Sequence, residues 1–515
     1  MNRKVAKGRT GKRRGQGPGP SFGRASGSAT RSRSEKNRHL SVQRPSVLVG
    51  TLDKNRRGFG FLSFNQAEFE DLFVPDDQCA RFFHGDRVRV RMAANGRPIG
   101  FELVEHRFKE VVGVYLPNPT TARGWVVWER KRAREQIEVL NPPPQVREGD
   151  WVRAKLEYGP PITCRILDVF GAAPPANRDV DTVAAEFGLE EEHPRAALME
   201  ASRLRGSIEK EIENLGPHRE DMRKVPFFTI DGETARDFDD AIHVERERSG
   251  YVLWVAIADV SHYVREGSEL DKCARGRGTS VYFPERAFHM LPSALSEHLC
   301  SLKPNEPRLA LVSKIQFDRE GNPGKTTLHE TVIESTRRAT YTEIETEWKA
   351  NRGCKDWALR PHFELFELLK FRRLERGALD LDLPEAEIKV DEQGEPVSIL
   401  RRERWDSHRL IEEFMIAANE AVSRWMIAKT RQFLFRVHEQ PDETAFEKFA
   451  TMAAAVGAHY KSKSFGNREV AAFLKSIAGR PTEQLLNYAL LRSLKQARYN
   501  PENLGHFGLA STAYT

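Results

Sequence analysis

The sequence predicts a multidomain α+β protein: two small β-barrels in tandem, followed by a larger mixed α/β domain. Three observations carry this. The chain has 515 residues, too many for one ordinary domain at roughly 150 residues each. Short alternating strand patterns fill residues 46–170 and repeat once. Beyond residue 226, buried-looking strands and amphipathic helical stretches surround a cluster of aspartates.

Composition sets the outer bounds. A hydrophobic share of 39% and a charged share of 30% suit a soluble globular protein. No run of ~18 apolar residues offers a membrane span, and the basic N-terminus lacks the apolar core of a secretory signal. A cytoplasmic protein with no membrane partner is therefore expected. The five cysteines, Cys79, Cys164, Cys273, Cys300 and Cys354, form no Cys-x-x-Cys pair. That argues against a disulfide framework and a zinc ribbon.

The charge is unevenly placed. Residues 1–45 hold 13 Lys and Arg against one acid, so the remaining chain, with 68 bases and 73 acids, is net negative. This Gly/Ser/Pro/Arg-rich tail cannot bury enough apolar surface to fold alone. It reads as an electrostatic arm for RNA, the ribosome or structured RNA, neutralising phosphates and releasing counterions. A plain solubility tail is the other reading.

Residues 46–105 give the first barrel: Val47–Leu52, Arg57–Leu62, Asp71–Pro75 and Gly85–Val90 read as strands. Phe59 and Phe61 are two residues apart and share a strand face. With Phe73, and with Arg56 and Arg57 beside them, they suit a stacking platform for unpaired bases whose phosphates the cations track. Alternatively these rings fill the barrel core. The stretch resembles a cold-shock domain, an OB-type five-stranded barrel. Residues 108–170 read as a weaker copy: 35 residues separate Gly50 from Gly85, and 36 separate Gly113 from Gly149. Trp125 and Trp128 stand there in place of the phenylalanine pair, for stacking or for structure. Residues 175–225 are charged and helix-prone, a connector into the domain over 226–515.

That domain opens on an apolar strand, Pro226 to Ile230, which delivers Asp231 into a turn. Asp237, Asp239 and Asp240 follow within a few residues. Carboxylates confined this way repel one another, and raised pKa values or bound cations relieve the repulsion. Two Mg²⁺ would balance four charges, and oxygen-only ligands suit that ion; Mn²⁺ is an alternative. Two metals so placed can activate a water and stabilise the leaving oxygen of a phosphodiester. Taken alone the cluster could equally be a solvated loop. Ile242 stands where an EF-hand would need its twelfth-position Glu.

The wider context resembles the ribonuclease II / ribonuclease R family, and its ribonuclease R branch in particular. The resemblance runs through Thr229–Asp240, Val255–Val264, Tyr282-Phe283-Pro284, Met290-Leu291-Pro292 and Leu299–Leu302. It continues through Arg376–Asp380, His408–Met415 and Arg436–Glu439. It implies two OB-fold barrels before a mixed α/β catalytic domain. It also implies a monomeric, processive 3′→5′ exoribonuclease releasing 5′-mononucleotides from single-stranded RNA. Asp231, Asp237, Asp239 and Asp240 would be the catalytic, metal-holding aspartates, and Tyr282 would stack on the 3′-terminal bases. His262, His408 and His438 read as structural, because two-metal hydrolysis needs no histidine base. Asp380 and Asp382 are either channel residues or bystanders. Helical spacing of Leu410, Ile411, Phe414, Met415, Ala418 and Val422 predicts a core-facing helix over 408–428.

In the family, the stretch Gly505–Thr515 runs on into an arginine-bearing Ser-Pro-Ile-Arg-Arg-Tyr segment and an S1-type RNA-binding barrel. By that resemblance the catalytic domain is incomplete at its C-terminus, and the polypeptide is expected to be nearly inactive by itself. An RNA-binding protein with a catalytically dead domain is the competing expectation.

Overall fold

The computed structural model describes residues 47–515, apart from 65–68, 70, 94, 122, 131–132, 160, 173–179, 182, 185–186, 214–217, 382, 393, 430–431 and 461–464. The basic tail and Asp382 lie outside the described residues.

Strict alternation builds the first barrel. In β4 (Arg87–Met92), exposed arginines alternate with buried Val88, Val90 and Met92, as a strand with one solvated face requires. β4 joins β1 (Val47–Lys54), β2 (Gly60–Ser63), β3 (Leu72–Val74) and β5 (Pro98–Glu105) in the order β3-β2-β1-β4-β5, all antiparallel. The inner face packs Leu52, Leu62, Val74 and Phe82.

The second barrel is β6 (Glu110–Pro117), β7 (Gly124–Arg130), β8 (Ala133–Val139), β9 (Trp151–Glu157) and β10 (Thr163–Gly171). It has the same strand order, and a short parallel pairing of β10 with β8 closes it. Its core decides between the two readings of Trp128 in favour of the structural one. That ring is 1% exposed and packs against Phe83 at 5.1 Å and Phe108 at 5.7 Å, cementing the two barrels. Lys54 of the first barrel pairs with Glu135 of the second at 2.7 Å.

Helix Arg195–Glu213 leads into the large domain. There β11 (Glu220–Asp221), β12 (Phe228–Asp231), β13 (Asp240–Glu247) and β14 (Gly250–Ala258) precede a short hairpin, β15 (Val281–Tyr282) and β16 (Ala287–Phe288). β17 (Pro307–Asp318), β18 (Pro323–Glu334) and β19 (Arg337–Thr340) complete a seven-stranded mixed sheet, β11-β18-β17-β14-β13-β12-β19. β14 is buried along almost its whole length, because both faces of the sheet are covered. Val252, Trp254 and Ala256 face one core with Leu270, Leu295 and Leu302. Leu253 and Val255 face a second core under helices Arg360–Arg376 and Asp406–Lys429.

The helix over 406–429 buries Leu410, Ile411, Phe414 and Ala418. Its buried Glu413 meets the equally buried Arg373 at 2.7 Å. Gly377 ends helix Arg360–Arg376 with φ +97°, and a Cβ there would strike the Arg468 backbone nitrogen at 2.9 Å. Only glycine meets both demands at low cost. Helices Glu443–Ala455, Asn467–Ile477 and Glu483–Ser493 form a further cluster around Phe446, Phe473 and Leu490.

Candidate active site

β12 carries Phe228, Thr229 and Ile230 into the core and leaves Asp231 at its end. The chain turns and returns as β13, whose first residue is Asp240, paired with Ile257 of β14. Phe238 is buried between Asp237 and Asp239, which leaves those two carboxylates on the open side. Hydrogen bonds from three neighbouring elements fix this turn. The Phe238 amide donates to the Ser301 hydroxyl at 3.1 Å, and that hydroxyl donates to the Arg236 carbonyl at 2.7 Å. The Leu302 amide donates to the Phe238 carbonyl at 2.8 Å, and the Ala258 amide to the Asp239 carbonyl at 2.9 Å. Arg338 donates to the Gly232 and Glu233 carbonyls, both at 2.7 Å, while lying over the Phe238 ring.

The electrostatics are those of crowded, partly desolvated acids. Burial and the Asp240 charge push the Asp231 carboxyl up to about 7, against the pull of the nearby Thr229 hydroxyl and Arg338. Burial and Asp239 push Asp240 up to about 6. Asp239 keeps solvent access, yet partial desolvation and then the Asp237 charge hold it above the usual carboxylate range. Among the described residues, Asp231 Oδ2 is sealed from solvent with no hydrogen-bond donor, and the Thr229 hydroxyl makes no bond of standard geometry. A buried oxygen in that state is costly, and a cation would satisfy it. The donors are all carboxylate oxygens, the set that Mg²⁺ and Mn²⁺ take. Among the described residues no three possible ligands converge as a ready-made cage. The fit to a metal therefore rests on charge and on the orphaned Asp231 oxygen.

Tyr282 stands across from the cluster. It is 63% exposed, and its hydroxyl donates to Asp237 Oδ2 at 2.6 Å. Partial burial of the hydroxyl and that bond push the phenol up to about 12, so it stays a donor at neutral pH.

The histidines have structural partners. His262 Nδ1 lies 3.1 Å from Arg219, which also holds the buried Asp259 at 2.6 Å. His408 stacks on Tyr341 with centroids 4.1 Å apart, and burial and Arg402 keep its pKa low. His438 accepts the Gly508 amide at 3.1 Å, and burial lowers its pKa. Asp380 accepts from Arg404 at 2.8 Å; burial raises its carboxyl, but Arg404 and its neighbours outweigh that and hold it low.

On the first barrel, Phe59, Phe61 and Phe73 form one cluster, with centroids 5.7–6.0 Å apart. Phe61 and Phe73 are cross-strand partners, 39% and 50% exposed. The core belongs instead to Leu52, Leu62 and Val74. Arg57 is exposed beside them, whereas Arg56 pairs with Glu129 of the second barrel. Gly58 has φ +95°, and a Cβ there would collide with the Asp76 carboxylate. Ser301 and Arg338 escaped the sequence reading. The Leu299–Leu302 motif was the signal, but nothing in it tells which loop Ser301 holds.

Comparison with known proteins agrees with this architecture. Residues 219–515 match the RNB domain model, and residues 50–99 match the Ribonuclease B OB domain model. The chain is 35% identical over 487 residues to Ribonuclease R of Aquifex aeolicus, covering 91% of this chain and 68% of that protein. It is 34% identical to Ribonuclease R of Escherichia coli, covering 92% of this chain and 60% of that one. Among solved structures, Mycoplasma genitalium RNase R in complex with ribose methylated single-stranded RNA superposes with a TM-score of 0.76 at 25% identity. That match covers 91% of this chain and 76% of the other. Yeast Ssd1, a pseudonuclease, shares the fold at 17% identity, with a TM-score of 0.67 over 94% of this chain and 68% of its own. With its OB-type barrel, its RNB domain and its closeness to these relatives, the chain belongs to the ribonuclease R family.

Proposed function

We propose that the chain is a metal-dependent 3′→5′ exoribonuclease, which hydrolyses single-stranded RNA processively to 5′-mononucleotides in RNA turnover and quality control. The chain spans 60–68% of the length of the two ribonuclease R relatives above. The observation that carries the reading is the aspartate turn: acids with raised pKa values, one buried oxygen lacking a donor, and Tyr282 bonded to Asp237.

Asp231, Asp237, Asp239 and Asp240 would hold two Mg²⁺ or Mn²⁺. When bound, such ions lower the pKa of the attacking water and stabilise the leaving oxygen. The rest falls to the protein. Ser301 and Arg338 keep the carboxylates at fixed spacing, so no reorganisation is needed as charge develops. Tyr282 holds Asp237 and offers its exposed ring to a terminal base. The Phe59, Phe61 and Phe73 cluster offers stacking faces further along the strand, with Arg57 near the phosphates. The basic residues of the first 45 would add a sequence-independent hold on RNA or the ribosome. We take the working unit to be a monomer acting in the cytoplasm. Among the described residues, no helix is long and apolar enough to cross a membrane.

The test is decay of 3′-end-labelled single-stranded RNA with Mg²⁺ or Mn²⁺, with circular RNA of the same sequence as control. Slow release of labelled 5′-mononucleotide from the linear RNA alone is expected, read under protein excess. Tight RNA binding with no hydrolysis under either metal would instead identify an RNA-binding protein with a silent catalytic domain.

A further inference from the structure

We infer that Arg286 is a positioning residue for Tyr282, anchored by the connector between the barrels and the catalytic domain. β15 and β16 are two residues each, and an isolated hairpin of that size is not stable by itself. Something else must hold Tyr282 over Asp237, and Arg286 is placed to do so. It lies in the hairpin turn, where the Phe283 amide donates to its carbonyl at 2.9 Å. Its guanidinium pairs with Asp181, and with Glu191 at 3.0 Å, and lies over the Phe288 ring 5.2 Å from the centroid. Both acids sit in the connector, just ahead of helix Arg195–Glu213.

A second arginine closes the same joint. Arg277, at the end of helix Glu269–Arg277, donates to the Glu190 and Glu192 carbonyls at 2.5 and 2.6 Å, and reaches the His289 carbonyl at 3.3 Å. Beneath these bonds Val180 and Ala184 pack on Phe288. The far side of the hairpin is the contrast: Tyr282 is exposed and its hydroxyl donates to Asp237 at 2.6 Å. The connector fixes one side of the hairpin, and the other side presents the tyrosine to the aspartate turn. The segment leaving the RNA-binding barrels is thus the same one that sets the tyrosine.

This inference rests on the proposed RNA hydrolysis. It is tested in the full chain by single-turnover decay of a short oligoribonucleotide with Mg²⁺. A displacement of about an ångström near the reacting groups can cost ~10²-fold. Arg286→Ala should accordingly slow decay at saturating protein by ~10–100-fold, and Arg286→Lys should recover part of the loss. If Arg286 works through the tyrosine hydroxyl, Arg286→Ala combined with Tyr282→Phe should be no slower than the slower single variant. Losses that multiply in the double variant, or an Arg286→Ala rate within about twofold of the parent, would overturn the inference. Hydrogen exchange supplies a readout free of activity: amides of residues 281–288 should lose protection in Arg286→Ala while β14 keeps its own. Unchanged protection there also overturns it. Exchange that changes as expected in a chain that never hydrolyses RNA would leave the anchoring intact and sink the exoribonuclease reading instead.

Discussion

Ser301, 63 residues beyond Phe238, accepts the Phe238 amide at 3.1 Å and is fully buried. Through that bond a distant loop holds the turn that spaces Asp237 from Asp239. Ser301→Ala leaves the Phe238 amide and the Arg236 carbonyl without their partner. A buried group left unsatisfied costs ~1–3 kcal/mol. Urea denaturation should show a loss of that size, together with slower single-turnover decay at saturating RNA. Stability within about 0.5 kcal/mol of the parent, the range of a neutral surface change, would show that the hydroxyl does not support the turn.

Asp239 combines solvent access with a raised carboxyl pKa. Asp239→Asn keeps the shape and removes the charge. Hydrolysis should disappear while RNA binding, measured by filter retention, stays near the parental level. A variant that turns over normally would remove Asp239 from the chemistry, and with it the four-aspartate reading.

How far these features could be read from the sequence depends on the distance over which each is built. The aspartate turn and the Phe59/Phe61 pair are local: spacing within one strand or turn sets which neighbours those side chains have. The helix over 406–429 was legible for the same reason, since apolar spacing alone fixes its buried face. Trp128 was not, because alternation tells that Val126 and Trp128 share a face but not which face turns inward. Ser301, Arg338 and Arg286 were out of reach. Each acts on a backbone group or charge far along the chain, and tertiary packing alone brings them together. Arg56 illustrates the same limit: beside the phenylalanines it suggests a phosphate-binding cation, whereas the structure gives it Glu129 as a partner.

The raised carboxyl groups set a pH dependence with a definite sign. Asp231 stands at about 7 and Asp240 at about 6, both above the ordinary carboxylate range. The folded, metal-free chain therefore keeps their protons to higher pH than the unfolded chain does. That contribution to stability is fully present below the unfolded carboxylate pKa of about 4 and is lost as pH rises through the folded values. In EDTA, Tm should fall from acid pH toward pH ~7–8 on this account. Added Mg²⁺ should raise Tm by mass action, and more at pH ~8 than at pH ~5, because protons compete for the same oxygens. Differential scanning fluorimetry across that range is the check. A Mg²⁺ increment equal at both ends would mean that the cation binds elsewhere.

The phenylalanine cluster separates binding from folding. Phe61 and Phe73 are exposed cross-strand partners, Phe59 packs against both, and the barrel core is built from Leu52, Leu62 and Val74. Replacing the three rings by Ala should therefore leave the barrel folded, with its far-ultraviolet circular dichroism unchanged. Removing each ring that stacks on a base should weaken single-strand binding by ~1–3 kcal/mol, read as a weaker Kd for long RNA. An oligomer too short to reach from the aspartate turn to the barrel should be degraded at the parental rate, because the rings lie on the first barrel and the aspartates on the catalytic domain. The two substrates thus distinguish the alternatives. Selective loss on long RNA places the rings on the strand's path. Equal loss on both, accompanied by a lower Tm, would show that the cluster supports the fold.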